Sequence, residues 1–232
     1  MVKNNIISAA KANRLYWLGR YEERVYLTLH LLRKCYDKMI DGTPEDYETF
    51  WQKLDICNNY LTTDTFTQGM MFDEDNPASI ISALLRAQDN AILLREDITS
   101  ETLSYIEMAV ALMRRTKNEK DVNITMLQPV TDWALAFWGS AQQRVHNLKA
   151  LVLMFVGRRV ENIDMHIRFG YPYERIMTCF SLLMKYLNDY PDFYDEHIMK
   201  NIQNMMTPER YDNGGEEYRA ELLKYLNQLI LV

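Results

Sequence analysis

Glycine and proline are scarce in this chain, eight and six of 232 residues, and that scarcity argues against turn-rich all-β architectures. No segment alternates apolar and polar residues with period two, so no sheet is expected. Cysteine is rarer still: three residues, Cys35, Cys57 and Cys179, odd in number, far apart and without a CxxC pair. Neither a disulfide framework nor a cysteine-based zinc site follows from that spacing, and thiols kept reduced in a cytoplasm are the expectation. Excess basic charge is also missing. The net charge is −6, and the pairs Arg114-Arg115 and Arg158-Arg159 are too small to form the basic stripe of a nucleic-acid binder. The longest apolar run, Ala150 to Val156, is far too short to cross a bilayer, so no membrane partner is expected. Lys11 and Arg14 interrupt any apolar leader, so no signal peptide is expected either.

The usual marks of chemistry are absent too. A di-metal carboxylate bundle needs Glu-x-x-His pairs, but the residues three before His30, His146, His166 and His197 are Leu27, Gln143, Ile163 and Tyr194. HExxH, GxGxxG and the phosphate-binding loop do not occur. Four scattered histidines give no Ser-His-Asp or Cys-His arrangement, and the apolar contexts of Cys57 and Cys179 read as core packing. Gly214-Gly215 reads as a flexible turn rather than an anion nest. No cofactor is expected, and whether the protein is an enzyme is left open.

What the chain does have is a charged motif inside strongly apolar helices. Gly19-Arg20-Tyr21-Glu22-Glu23-Arg24 has a later counterpart in Gly157-Arg158-Arg159-Val160-Glu161-Asn162. Apolar flanks match as well, Leu15-Tyr16-Trp17-Leu18 against Leu153-Met154-Phe155-Val156. At about 100° per residue, Arg20, Glu23, Arg24, Leu27 and Leu31 share a stripe with Tyr16 and Asn13, while Leu15, Leu18, Val25, Leu29 and Leu32 cover the opposite side. Only a strip around Glu22 and Arg33 is left for water. A helix apolar on most sides is a central one. Gly19 and Gly157 each cost roughly 1 kcal/mol of helix stability against alanine, which a close backbone approach would justify. The two motif helices are therefore expected to cross near these glycines, with Arg20 facing Glu161 and Glu23 facing Arg158.

Proline and cap residues punctuate the rest. The expected fold is all-α, a bundle of about eight to nine mostly antiparallel helices with two long central motif helices, in one domain spanning residues 1–232. Expected helices run from Ser8 to Ile40, from Thr43-Pro44 to Asn58, from the Asn76-Pro77 cap to Asp97, from Thr99 or Ser100 to Arg115, and through an apolar stretch ending at Trp138. Gly139-Ser140 is expected to be a tight turn, with Ser140 and Gln143 as a capping box; a continuous helix is the alternative. The second motif helix then runs from Ala141 to Phe169 and stops at Gly170. Three more follow: Tyr171-Pro172 to Asn188, Pro191 to Met206 and Glu216 to Leu231. Residues 62–75 and 207–215 are expected to be loops.

The candidate site is ionic. Arg86, Asp89 and Arg95 lie on the helix after Asn76-Pro77, with Arg86 and Asp89 sharing a face. Together with Arg20, Glu23, Arg24, Arg158 and Glu161 they form a candidate buried cluster of five arginines and three carboxylates. Such a cluster either fixes helix register or uses its surplus positive charge to hold a phosphate or carboxylate.

Tyr16-Trp17-Leu18-Gly19-Arg20-Tyr21-Glu22-Glu23-Arg24 resembles the signature Tyr-Trp-Leu-Gly-Arg-Tyr-x-Glu-Arg of the bacterial alpha-E family. Asn76-Pro77-Ala78-Ser79-Ile80, Ala87-Gln88-Asp89-Asn90-Ala91 and Phe137-Trp138-Gly139 resemble further elements of it. The chain departs from the pattern at Gln88-Asp89 (commonly Arg-Glu), at Leu103 (commonly tryptophan) and at Asn162, where the second Glu-Arg pair loses its arginine. The resemblance implies an all-helical domain without an established activity, encoded beside or fused to ATP-grasp-like ligases and transglutaminase-like proteins. A non-catalytic cytoplasmic accessory or scaffold, partnering an ATP-grasp-type ligase in peptide or amide synthesis, is thus the leading expectation. A subunit whose Arg/Glu cluster holds an anion, with Glu23 as acid or base, is the alternative, and a homo-oligomer is left open.

Overall fold

The computed structural model describes residues 7–40, 47–56, 59–120 and 122–232. They form the α-helices α1 (Ala9–Ile40), α2 (Tyr47–Leu54), α3 (Thr63–Phe72), α4 (Ile80–Leu93), α5 (Arg95–Ile98) and α6 (Ser100–Thr116). A 3-10 turn, Ile124–Leu127, leads into α7 (Gln128–Arg144), followed by α8 (Leu148–Arg168) and α9 (Tyr173–Leu187). A second 3-10 turn, Pro191–Phe193, precedes α10 (Glu196–Met205), α11 (Pro208–Asn213) and α12 (Glu216–Gln228). The protein is all-α. Among the described residues no strand forms beyond an isolated antiparallel bridge between Tyr194 and Ile230. No helix among them is long and apolar enough to cross a membrane.

The fold groups into two compact units, the described residues up to Arg20 with Val152–Val232, and Tyr21–Leu151. The divisions fall within α1 and α8. The first unit has a core in which Val156, Val160, Ile163 and Ile167 of α8 meet Ile176, Phe180 and Leu183 of α9 and Leu222 and Leu226 of α12. Tyrosine hydroxyls hold its helix ends: Tyr173 donates to the Met206 carbonyl at 3.0 Å, Tyr211 to that of Tyr171 at 2.9 Å, and Tyr218 to that of Met205 at 2.8 Å. In the second unit, Phe66 of α3 packs against Tyr47, Phe50 and Trp51 of α2. There, α6 lies between α4 and α7 in its contacts, and the hydroxyls of Thr102 and Ser140 join α6 to α7 at 2.8 Å.

Several sequence expectations are corrected. Residues 63–72 are the helix α3, not a loop, because Thr62 and Thr65 cap each other reciprocally and Phe66, Met70, Met71 and Phe72 are buried. The box uses threonine where glutamate or glutamine is usual. The cap of α4 is Ser79, whose hydroxyl accepts from the Ser82 amide at 3.1 Å, whereas Asn76 makes a local turn by accepting from the Ala78 amide. α7 runs straight through Gly139, since Ser140 is engaged with Thr102 rather than with a cap. α8 therefore begins at Leu148, where Asn147 accepts from the Ala150 amide at 3.3 Å, rather than at Ala141. Short helices α5 and α11 also escaped the sequence reading, which explains twelve α-helices among the described residues against eight or nine expected. Gly170 stops α8 as expected, with φ of +66°. The expected breaks at Asp41-Gly42 and Thr43-Pro44, and Cys57, lie outside the described residues.

α1 and α8 cross at the two motif glycines. A methyl group on Gly19 would collide with the backbone carbonyl of Met154, and one on Gly157 with that of Tyr16. Both obstacles are backbone, so neither can swing aside. Gly19→Ala or Gly157→Ala is expected to cost about 1–3 kcal/mol, as overpacking does. That cost arises in spite of alanine's better helix propensity, and urea unfolding at equal m-value checks it.

Candidate functional site

The first motif starts at this crossing. Arg20 is 4% exposed. Its Nε donates to Glu161 Oε2 at 2.7 Å. Its Nη1 donates to Asn227 Oδ1 at 2.8 Å and, more weakly, to the Tyr16 hydroxyl at 3.5 Å. Its Nη2 lies 3.7 Å from Asp164 Oδ2, and the guanidinium carbon sits 5.1 Å from the centre of the Trp17 ring. The network extends further, because Asp164 Oδ1 accepts from Arg168 Nε at 2.6 Å and Asp164 Oδ2 from Asn227 Nδ2 at 3.2 Å. Burial works against the charge of Arg20, but Glu161, Tyr16 and Asp164 outweigh it and raise the guanidinium above its ordinary value. Burial raises the Tyr16 hydroxyl too, against the opposing pull of Arg20.

The Arg20–Glu161 pairing expected from the repeated motif is therefore present. Arg20 and Arg168 thus meet the carboxylates of Glu161 and Asp164 here. Glu23 is buried in the Tyr21–Leu151 unit, and Arg158 is half-buried in the other. Arg24 is half-buried, with its guanidinium carbon 5.7 Å from the Tyr21 ring centre, and Arg86 approaches the same ring at 6.0 Å.

Arg86, Asp89 and Arg95 are exposed, which corrects the single buried cluster of eight residues. The reason is helical phase: Ile80, Leu84, Ala87, Ala91 and Leu94 form the buried stripe and turn those three charges to water. Sequence reasoning missed Asp164, Arg168 and Asn227. Asp164 and Arg168 carried a readable signal, an i,i+4 ion pair following Glu161 on one helix. Asn227 carried none, since α12 brings it in from the far end of the chain.

A second correction concerns Glu22, which was expected to face water. It is 2% exposed, and its Oε1 has no hydrogen-bond partner. Burial, with a further contribution from the neighbouring Glu23 charge, pushes its carboxyl up to about 8. This member of the motif is a neutral acid at pH 7.

The structure also makes a cysteine–histidine contact that the sequence did not reveal. Cys179 Sγ lies 3.7 Å from His166 Nδ1 and 3.9 Å from Asn162 Oδ1, inside the first unit's core. Burial, then the nearby Arg175, lowers His166 to about 4. A neutral imidazole lends no positive charge to a thiolate, so the pair lacks the feature that activates a catalytic cysteine.

Two independent comparisons find nothing: no curated protein and no solved structure matches this chain. One family model does match. It is Alpha-E, described as a predicted alpha-helical domain with a conserved ER motif, and it covers residues 8–172.

Proposed function

The chain belongs to the Alpha-E family, and from that premise we propose that it is a non-catalytic helical accessory or scaffold. In this reading it is a bacterial, cytoplasmic protein that partners an ATP-grasp-type ligase in making or modifying a peptide or amide. One observation carries the non-catalytic part: every nitrogen of Arg20 is already engaged by a protein group, Nε by Glu161, Nη1 by Asn227 and Nη2 by Asp164. A buried guanidinium held on every nitrogen by the protein's own groups is placed to pin helices rather than to clamp a ligand. The anion-holding alternative thereby loses its central residue, and Arg86 and Arg95 stand apart from it on an exposed face. Support for the partner comes from the gene neighbourhood that the family resemblance implies.

Co-expression with the neighbouring ligase tests the reading. A complex that stays together through size-exclusion chromatography, with ligase turnover higher in the complex than alone, is the expected result. Separate elution of the two proteins and unaltered turnover would overturn it.

A further inference from the structure

α9 and the end of α10 enclose a groove of about 380 Å3 in the first unit. That volume is at the small end of the roughly 300–1,000 Å3 typical of ligand sites. The groove lies wholly beyond residue 172, outside the part of the chain that the family model covers. Its walls are Met177, Phe180, Met184 and Met206, three flexible thioethers and a ring that adapt to an apolar body. Its polar groups are Ser181, Lys185, Asn188 and Gln203. Lys185 is the one charge among the lining residues, in a chain whose net charge is −6. No acidic residue lines the groove, and the Lys185 ammonium makes no ion pair among the described residues.

We propose that this groove binds a small monocarboxylate with an apolar body. The hydrocarbon lies against the methionines, and the carboxylate pairs with Lys185. Ser181, Asn188 and Gln203 supply neutral hydrogen bonds, which orient a ligand without adding charge. The ammonium also decides the polarity. Lys185 lies in the last turn of α9, where the helix dipole would otherwise disfavour an anion, so the carboxylate depends on that one side chain. This site is independent of the Arg20 network, and its success or failure leaves the accessory-protein reading untouched.

Octanoate titrated into protein carrying 13C-labelled methionine methyl groups is the direct test, with octylammonium as the charge-reversed control. The expected result is saturable shifts at Met177, Met184 and Met206 with octanoate and markedly weaker ones with octylammonium. Lys185→Gln should weaken octanoate binding about threefold to fivefold, the scale of a solvent-exposed ion pair. Lys185→Glu should reverse the preference in favour of octylammonium. Lys185 is exposed, so both variants should keep the native circular dichroism spectrum. Absence of saturable shifts with octanoate, or equal binding of the two amphiphiles to both the native protein and Lys185→Glu, would overturn the proposal.

Discussion

Arg20→Met is expected to lose about 3–5 kcal/mol of stability, the cost of removing one partner from a buried ion pair. The substitution keeps a long unbranched side chain beside Tyr16 and Trp17, so the loss comes from charge rather than from a cavity. Glu161 and Asp164, 1% and 4% exposed, would then be left facing each other without the guanidinium, and Asn227 would lose its acceptor role. Arg168 remains as a partner for Asp164. Adding Glu161→Met to Arg20→Met should cost less than the sum of the two single substitutions, because the pair they share is lost only once. Urea unfolding of the two single variants and the double variant measures the coupling directly. A loss below about 1 kcal/mol for Arg20→Met would place the network among weak surface pairs and contradict its burial.

That experiment also separates a pin from a clamp. A clamp would lose ligand affinity with little loss of stability, whereas a pin loses stability first. The geometry of Arg20 is that of a pin, since three different helices contribute its partners: α8 gives Glu161 and Asp164, α12 gives Asn227 and α1 itself gives Tyr16. Holding α1, α8 and α12 in register is something apolar packing specifies poorly, because methionine- and leucine-rich faces slide at little cost. A planar guanidinium with directed donors does not allow such sliding.

The crossing of α1 and α8 was legible in the sequence because two signals agreed, a glycine in each helix and charges of opposite sign close behind them, Arg20 directly after Gly19 and Glu161 one turn after Gly157. The all-α class was legible for a similar reason, since breakers are scarce and no alternating segment competes. α3 was not legible: its first turn, Thr63-Asp64-Thr65, has poor helix formers, and only the apolar Phe66, Met70, Met71 and Phe72 that it buries make it worthwhile. The Arg86 and Arg95 assignments failed through phase, because sign and proximity in sequence were weighed ahead of the buried stripe Ile80-Leu84-Ala87-Ala91-Leu94. Glu22 failed in the opposite sense. A charged residue on the least apolar strip of α1 reads as solvated, and only the tertiary fold covers that strip. Contacts such as Asn227 with Arg20, or Cys179 with His166, depend on where α9 and α12 return, which no local pattern encodes.

Glu22→Gln is expected to raise stability by about 3 kcal/mol at pH 7. In the folded protein its carboxyl is pushed up to about 8, from an ordinary value of 4.5. Between those two values the unfolded chain releases a proton that the folded chain retains, so stability falls as pH rises through that window. The deficit grows by about 1.36 kcal/mol per pH unit and levels off above pH 8. Glutamine keeps the shape and removes the titration, so the variant should match the parent near pH 4 and gain on it steadily to pH 8. His166 acts on the other flank. Its value is depressed to about 4 from 6.5, so stability is lost as pH falls through that range, and Glu22→Gln should leave that acid limb in place. Thermal unfolding from pH 4 to 9 resolves the two limbs. Equal stability of variant and parent at pH 8 would mean that the carboxylate is compensated by a charge in the folded state. A gain of the expected size would mark Glu22 as a motif residue held against the interest of the fold, in contrast to Arg20. Natural sequences keep such groups where function rather than stability requires them, and the search for a role of the motif would then move from Arg20 to Glu22.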